Sequence, residues 1–133
     1  WLEARGGRGT AAELARVRQV RALLQSLVRG ETSPAALAPY VRSVGFRPVV
    51  TDEGISWRLD VAADDRLATR AVLAWDSLRT RAPGRLRACA NDECALLLID
   101  RSKSNSARWC SMAVCGNRMK ARRHYQRQRE TRG

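Results

Sequence analysis

Four cysteines near the end of the chain place the strongest constraint on its fold. Cys89, Cys94, Cys110 and Cys115 are all the cysteines of the 133 residues, and they form two C-x4-C pairs separated by fifteen residues. This spacing suits one tetrahedral zinc ion bound by four thiolates. Two disulfides or an iron–sulfur cluster would use the same residues. We favour zinc, because an Arg-rich chain without an apolar leader does not resemble a secreted protein and because two evenly spaced pairs around a short apolar segment are typical of zinc knuckles.

The residues between the two pairs predict a hairpin. Asn91-Asp92 is a turn dipeptide, so the first pair should lie on a tight loop. Residues 95–99 are apolar and predict a short strand, and the polar segment 100–106 predicts a hairpin loop that returns through Arg108-Trp109. In this interpretation Cys110 ends the returning strand.

A long helix is predicted after the third cysteine. Ser111 can cap its N-terminus, and residues 112–129 contain no proline and many strong helix formers. Cys115 would then lie in the first turn. A knuckle, a hairpin and a helix start that together supply four ligands resemble a treble-clef zinc module. The helix N-terminus would place partial positive charge near the thiolates.

Three short runs carry a resemblance to a known family. Trp109-Cys110-Ser111-Met112, Cys115-Gly116-Asn117-Arg118 and residues 120–124 (KARRH) are similar to the CGNR-type zinc finger. The resemblance implies that the four cysteines are the zinc ligands. It also implies a bacterial protein of a group regarded as transcription regulators, in which the finger follows an α/β domain called ABATE. Residues 1–82 look like the later part of that domain and residues 83–133 like the finger. Because the chain opens at Trp1 without the strand-rich start of the family's domain, we expect an N-terminal part to be missing.

The first hundred residues predict an α+β domain. Apolar residues at helical spacing predict an amphipathic helix from Ala11 to Val28. Ser33-Pro34 predicts a second, shorter helix to about Val44, with a bend at Pro39. Two runs rich in β-branched and aromatic residues, 46–50 and 55–61, predict a β-hairpin. A helix capped by Asp64 or Asp65 should follow and run to about Arg81. We expect the two long helices to pack on the hairpin.

Charge is concentrated at the end of the chain. The net charge is +12, and residues 101–133 contribute +9 of it, with ten basic residues and one acidic residue. Only two of the 25 basic residues are lysine, and the planar guanidinium of arginine suits phosphate oxygens and guanine edges. The sequence therefore predicts a nucleic-acid-binding surface, with these candidate contacts: Arg108, Arg118, Lys120, Arg122, Arg123, Arg127 and Arg129.

Catalysis is the less favoured interpretation. The single histidine, His124, lies among arginines of the predicted helix, and no phosphate-binding glycine loop is present. The sequence thus predicts a cytoplasmic, zinc-dependent DNA-binding transcription regulator without enzyme activity, whose first domain senses a signal or dimerises. A homodimer and a small-molecule effector remain open, and no membrane partner is expected. An RNA-binding or ribosome-associated zinc module and a protein-interaction domain are the alternatives, because attraction to phosphate is common to DNA and RNA.

Overall fold

The computed structural model describes residues 6–131. Residues 1–5, on which the expected truncation at Trp1 falls, lie outside this range. The chain divides into two compact units, one ending at Ser77 and the other beginning at Leu78. Its elements are α1 (Ala11–Arg29), a 3-10 helix (Pro34–Tyr40), β1 (Gly45–Thr51), β2 (Gly54–Asp60), a 3-10 turn (Ala63–Asp65), α2 (Arg66–Arg81), β3 (Leu86–Ala88), β4 (Leu97–Ile99), a π-helical turn (Met112–Gly116) and α3 (Asn117–Glu130).

Helix α1 begins and ends as its sequence dictates. The Thr10 hydroxyl accepts the Glu13 backbone N–H at 3.1 Å, and the buried Glu13 carboxylate accepts the N–H groups of Arg8 and Gly9. These bonds satisfy donors that would otherwise lack partners near the helix start. At the other end Gly30 adopts a left-handed conformation with φ of 76°. The predicted helix is confirmed and is one residue longer than expected.

The core of the first unit lies between helices. Val20 of α1, Leu37 of the 3-10 helix, and Ala68 and Val72 of α2 form a buried cluster. Thr69 of α2 adds a hydrogen bond from its hydroxyl to the carbonyl of Tyr40 at 3.0 Å. Partly buried neighbours complete the cluster: Leu23, Leu24, Leu27, Tyr40, Ala71 and Trp75.

The predicted β-hairpin is confirmed, but its predicted packing is wrong. Strands β1 and β2 pair antiparallel, with Gly45 opposite Asp60 and Thr51 opposite Gly54. Every residue of the two strands is exposed except Val49 and Leu59, which are half-buried. The helices therefore bury their apolar residues against one another, and the hairpin contributes little to the core.

Two further expectations for the first unit are wrong in detail. The helix predicted from Ser33 is a 3-10 helix that ends at Tyr40, and Gly45 begins a strand. Asp64 and Asp65 do not cap α2. Asp64 accepts the Thr10 hydroxyl at 2.7 Å and Asp65 pairs with Arg16 at 2.8 Å, so both carboxylates fix the start of α1 instead.

The second unit is built on a different hairpin from the predicted one. Strand β4 pairs with β3, with Leu86 opposite Ile99 and Ala88 opposite Leu97. The loop that holds the first cysteine pair is the turn of this hairpin. The bond from Cys89 N–H to the Leu96 carbonyl, at 3.1 Å, extends the strand pairing toward that turn. The segment through Arg108-Trp109 is not a strand. Its backbone is joined to the cysteine loop by the bond from Ala90 N–H to the Arg108 carbonyl at 2.8 Å.

The fold class is α+β, as predicted: helices, two small antiparallel hairpins, then a four-cysteine cluster and a C-terminal helix. Among residues 6–131, no helix combines the length and the apolar character needed to cross a membrane.

Candidate metal centre

The structure brings all four cysteine sulfurs together. Their Sγ atoms lie within 4.8 Å of one another. Cys110 Sγ lies 3.7 Å from Cys94 Sγ and 3.6 Å from Cys115 Sγ. Cys89 and Cys115 are buried, while Cys94 and Cys110 are partly exposed. All four are free thiols, so neither of the alternative disulfides is formed.

This geometry fits a tetrahedral zinc site. A zinc ion with four sulfur ligands at about 2.3 Å places those sulfurs about 3.8 Å apart. Two of the sulfur–sulfur distances of the cluster, 3.6 and 3.7 Å, are close to this value. Because four thiolates leave no open coordination position, such a site is structural and holds its loops together.

Backbone donors surround the sulfurs. Cys110 N–H points to Cys89 Sγ at 3.5 Å, and Leu96 N–H points to Cys94 Sγ at 3.5 Å. Four thiolates around one zinc ion carry excess negative charge, and N–H donors offset it. The second knuckle thus donates to a ligand of the first, and the first knuckle also donates to its own Cys94.

The thiols differ in acidity. Burial raises the pKa of Cys89, but N–H groups of Cys110 and Asn91 and the neighbouring thiols outweigh that effect and lower it from 9.0 to about 7. Burial and the three neighbouring sulfurs raise the pKa of Cys110 to about 12. The metal-free cluster therefore keeps Cys110 protonated at neutral pH, and zinc binding must release protons.

Asn91 contacts the site although the sequence indicated only a turn. Its side chain is 1% exposed, and its Nδ2 group donates to Cys115 Sγ at 3.6 Å. Its backbone carbonyl accepts the Cys94 N–H at 2.9 Å. Asn91 therefore links the first knuckle to a ligand of the second. The sequence could have indicated this role through the position of an amide side chain inside a C-x4-C loop, where it can donate to a ligand sulfur.

A second missed feature is the buried carboxylate of Asp100, which lies at the end of β4 and is 1% exposed. It accepts the hydroxyl and the N–H of Ser102 at 2.6 and 2.8 Å, the N–H of Ala107 at 2.7 Å, and Arg87 at 3.0 Å. The Ser102 hydroxyl is the main cause that lowers the pKa of Asp100, against its burial. Arg87 also donates to the Asn105 carbonyl at 2.6 Å. These bonds order the segment that leads back to Cys110.

The start of the helical region closes over the site. Ser111 caps it, as predicted, by accepting the Val114 N–H at 3.4 Å. A β-carbon at Gly116 would lie 2.7 Å from Met112 Sδ and 3.2 Å from Trp109 Cδ1, so this glycine permits close packing beside the second knuckle. Asn117 Nδ2 donates to the Ala113 carbonyl at 3.3 Å, within the second knuckle.

The candidate nucleic-acid contacts fall into two groups. Arg122 is half-buried and pairs with the first knuckle, through Glu93 and, at 3.7 Å, Asp92. Arg108 is exposed, and its guanidinium lies 5.3 Å from the centre of the half-buried Trp109 ring. The others are exposed on α3: Arg118, Lys120, Arg123, Arg127 and Arg129.

Helix α3 is attached to the finger only at its start. Of its fourteen residues, Asn117 to Glu130, only Met119 and Arg122 are not exposed. The remaining two turns carry basic and polar side chains and bury none of them. The ion pairs of Arg122 connect this first part of the helix to the first knuckle.

A comparison with protein families agrees with this geometry. Residues 85–128 match the family model described as the CGNR zinc finger. A search of curated proteins and a search of solved structures gave no significant match. The matched segment begins just before β3, contains all four cysteines and the buried Asn91, and ends within α3. Residues 85–128 of this chain are therefore a CGNR zinc finger, a zinc-binding module built from the four cysteines.

Proposed function

We propose that the chain is a zinc-dependent, DNA-binding transcription regulator that acts in the cytoplasm. In this proposal the finger holds α3 against DNA, and the first unit senses a signal or dimerises. The role is binding rather than catalysis, since all four thiols are committed to the metal. One observation carries the proposal: α3 is a strongly basic helix whose side chains beyond Arg122 are all exposed.

A helix of this kind favours an anionic partner. An isolated helix of about fourteen residues is only marginally stable in water, and like charges one turn apart weaken it further. The second half of α3 has no packing within the described structure to offset that repulsion. Phosphate groups along a groove would neutralise the charges and stabilise the helix.

One face of α3 is the best candidate for phosphate contact. At about 100° per residue, Lys120, Arg123 and Arg127 fall within about 60° of the helix circumference. All three are exposed. Arg122 lies well away from this stripe and is paired with the first knuckle, so we assign it to positioning the helix rather than to reading a base. Arg118, next to the knuckle, remains the candidate for a base contact, and Arg108 and Arg129 for contacts at the margins.

A protein partner is the second candidate function. Leu96, Met112 and Val114 lie beside the cysteines and are 61%, 54% and 55% exposed. Exposed apolar side chains grouped on a small module are found at protein interfaces. This surface does not involve the basic stripe, so the two functions can be separated by mutation.

The salt dependence of DNA binding tests the proposal. Arg123→Ala with Arg127→Ala should flatten the slope of log affinity against log salt concentration by about two and weaken binding to all sequences alike. The matched control is Arg18→Ala with Arg21→Ala, which removes the same charge from exposed positions of α1. If the stripe variant and the control give the same slope as the unmodified protein, the stripe does not contact DNA.

A parallel titration with structured RNA at the same salt concentrations separates the nucleic acids. The proposal expects tighter binding to duplex DNA. Tighter binding to RNA would favour the RNA-binding alternative, and no binding to either would favour a protein partner through the apolar surface of the finger.

A further inference from the structure

A second basic surface of the finger lies on the loop between β4 and the third cysteine, which we call the 101–107 loop. Arg101 and Lys103 belong to it, and both side chains are exposed. Neither forms an ion pair or a side-chain hydrogen bond with a residue in the range 6–131. Residues 101–129 contain no aspartate or glutamate, so no carboxylate of this stretch neutralises the two charges.

Hydrogen bonds on its inner side fix the shape of this loop. The buried Asp100 carboxylate accepts the N–H and the hydroxyl of Ser102, at 2.8 and 2.6 Å. Arg85 donates to the carbonyls of Asp100 and Ser102, at 3.1 and 2.7 Å. Arg87 pairs with the Asp100 carboxylate and donates to the Asn105 carbonyl at 2.6 Å. The acid and these carbonyls are therefore satisfied within the finger and do not offset the positive charge on the outer side of the loop.

The outer side has the chemistry of a phosphate-binding surface. Besides the two cations it carries the exposed hydroxyls of Ser104 and Ser106, which share a hydrogen bond at 2.6 Å. Because one hydroxyl donates to the other, the pair keeps one hydroxyl hydrogen for a further acceptor. Arginine, lysine and serine side chains are common donors to phosphate oxygens in protein–DNA complexes. A loop that is already ordered also loses little conformational entropy when it binds.

The 101–107 loop and the basic helix lie at different ends of the β3–β4 hairpin. Leu86 pairs with Ile99 at the end from which the loop continues, and the cysteine turn lies at the other end. Arg122 joins α3 to that turn. Three-residue strands, at about 3.3 Å per residue, place the two ends at least about 7 Å apart. Side chains of the loop and of α3 therefore reach different phosphates.

We propose that the 101–107 loop is a second contact between the finger and DNA, in which Arg101 and Lys103 bind phosphate groups beyond those that α3 contacts. This role rests on the DNA-binding function proposed above. We favour DNA over an acidic protein segment because phosphates are spaced regularly along a duplex, so that one partner serves both the loop and α3. Phosphate contacts carry no base preference, so the loop fixes the orientation of the finger on the duplex.

The salt dependence of binding to a short duplex of mixed sequence tests this contact on the full, zinc-loaded chain. Arg101→Ala with Lys103→Ala should flatten the slope of log affinity against log salt concentration by about two, because two phosphate contacts are lost. Both side chains are exposed, so the zinc content should stay that of the unmodified chain. The control is Arg18→Ala with Arg21→Ala, which removes the same charge from α1 and should leave the slope unchanged.

A combined variant tests whether the two surfaces are independent. Adding Arg123→Ala and Arg127→Ala to the loop variant should flatten the slope by about four, because different phosphates are lost at each surface. A combined variant with the slope of the Arg123/Arg127 variant alone would show that the loop adds no contact of its own.

The outcomes separate this contact from the function on which it rests. If the loop variant keeps the slope of the unmodified chain while the Arg123/Arg127 variant loses it, the loop contact is wrong and DNA binding through α3 stands. A flattened slope in the loop variant alone would support the loop contact and count against the stripe on α3. A chain that binds no duplex at any salt concentration would overturn both.

Discussion

Single buried polar residues decide how the finger is held together. Asn91 and Asp100 are both 1% exposed, and each is hydrogen bonded to a segment distant in sequence. A buried polar group that keeps its partners is stabilising, and one that loses them is costly. Both residues stood in stretches that the sequence indicated only as turns, because turn propensity reports local conformation and not the partner of a side chain.

The role of Asn91 leads to the first prediction. Asn91→Ala removes the N–H donor to Cys115 Sγ, so the apparent affinity for zinc should fall by about tenfold or more. Competition with a chromophoric chelator measures this affinity. Asn117→Ala is the control, because it removes a similar amide that donates to a carbonyl and not to sulfur. Equal zinc affinities of the two variants would show that the Asn91 amide does not support the site.

Elements with their own local signals could be predicted, and elements that depend on distant partners could not. Apolar residues at helical spacing mark α1, and β-branched and aromatic residues mark β1 and β2, so these elements were found from sequence. The partner of β4 was assigned wrongly. Its three residues carry no register signal, and β3 reaches them because the cysteine loop folds back on itself. The Arg87–Asp100 pair then orders the segment that we had taken for a hairpin loop.

Packing of the first unit was wrong for a related reason. An apolar strand face and an apolar helix stripe both predict burial, but neither tells which surfaces meet. The buried cluster joins α1, the 3-10 helix and α2, and leaves the hairpin face open.

This arrangement gives the second prediction, which compares two valines changed to aspartate. Val20 is 1% exposed and Val50 is 82% exposed. Val20→Asp buries an unpaired charge and should lower the free energy of unfolding of the first unit by more than about 3 kcal/mol. Val50→Asp should change it by no more than about 0.5 kcal/mol. Denaturant unfolding followed by circular dichroism measures both. A large loss in Val50→Asp would mean that the hairpin face is packed after all.

At the scale of the whole molecule, the two units are stabilised by different physics. The first has an apolar core shared by three helical elements. Among the described residues of the second, up to residue 131, the buried hydrophobic ones are Leu98 and the ligands Cys89 and Cys115. So small an apolar core cannot offset the loss of conformational entropy, and the metal must supply the difference. The spacing of the cysteines led to the same expectation from the sequence.

The last prediction follows from that difference: removal of zinc should unfold the finger and leave the first unit folded. Lowering the pH should have the same effect as a chelator, because zinc binds thiolates and protons compete with it for the sulfurs. The pKa of Cys89 lies at about 7, below its ordinary value of 9.0, so its stabilising thiolate form is lost as pH falls through about 7. Zinc affinity already falls with pH because Cys110 must release a proton, and it should decline more steeply below about pH 7. Hydrogen exchange at successive pH values, with and without chelator, measures the effect. Protection should disappear over residues 86–116 and persist in α1 and in α2 up to Ser77. Amides of the finger that stay protected once zinc has left would show that polar contacts such as Arg87–Asp100 hold it without the metal.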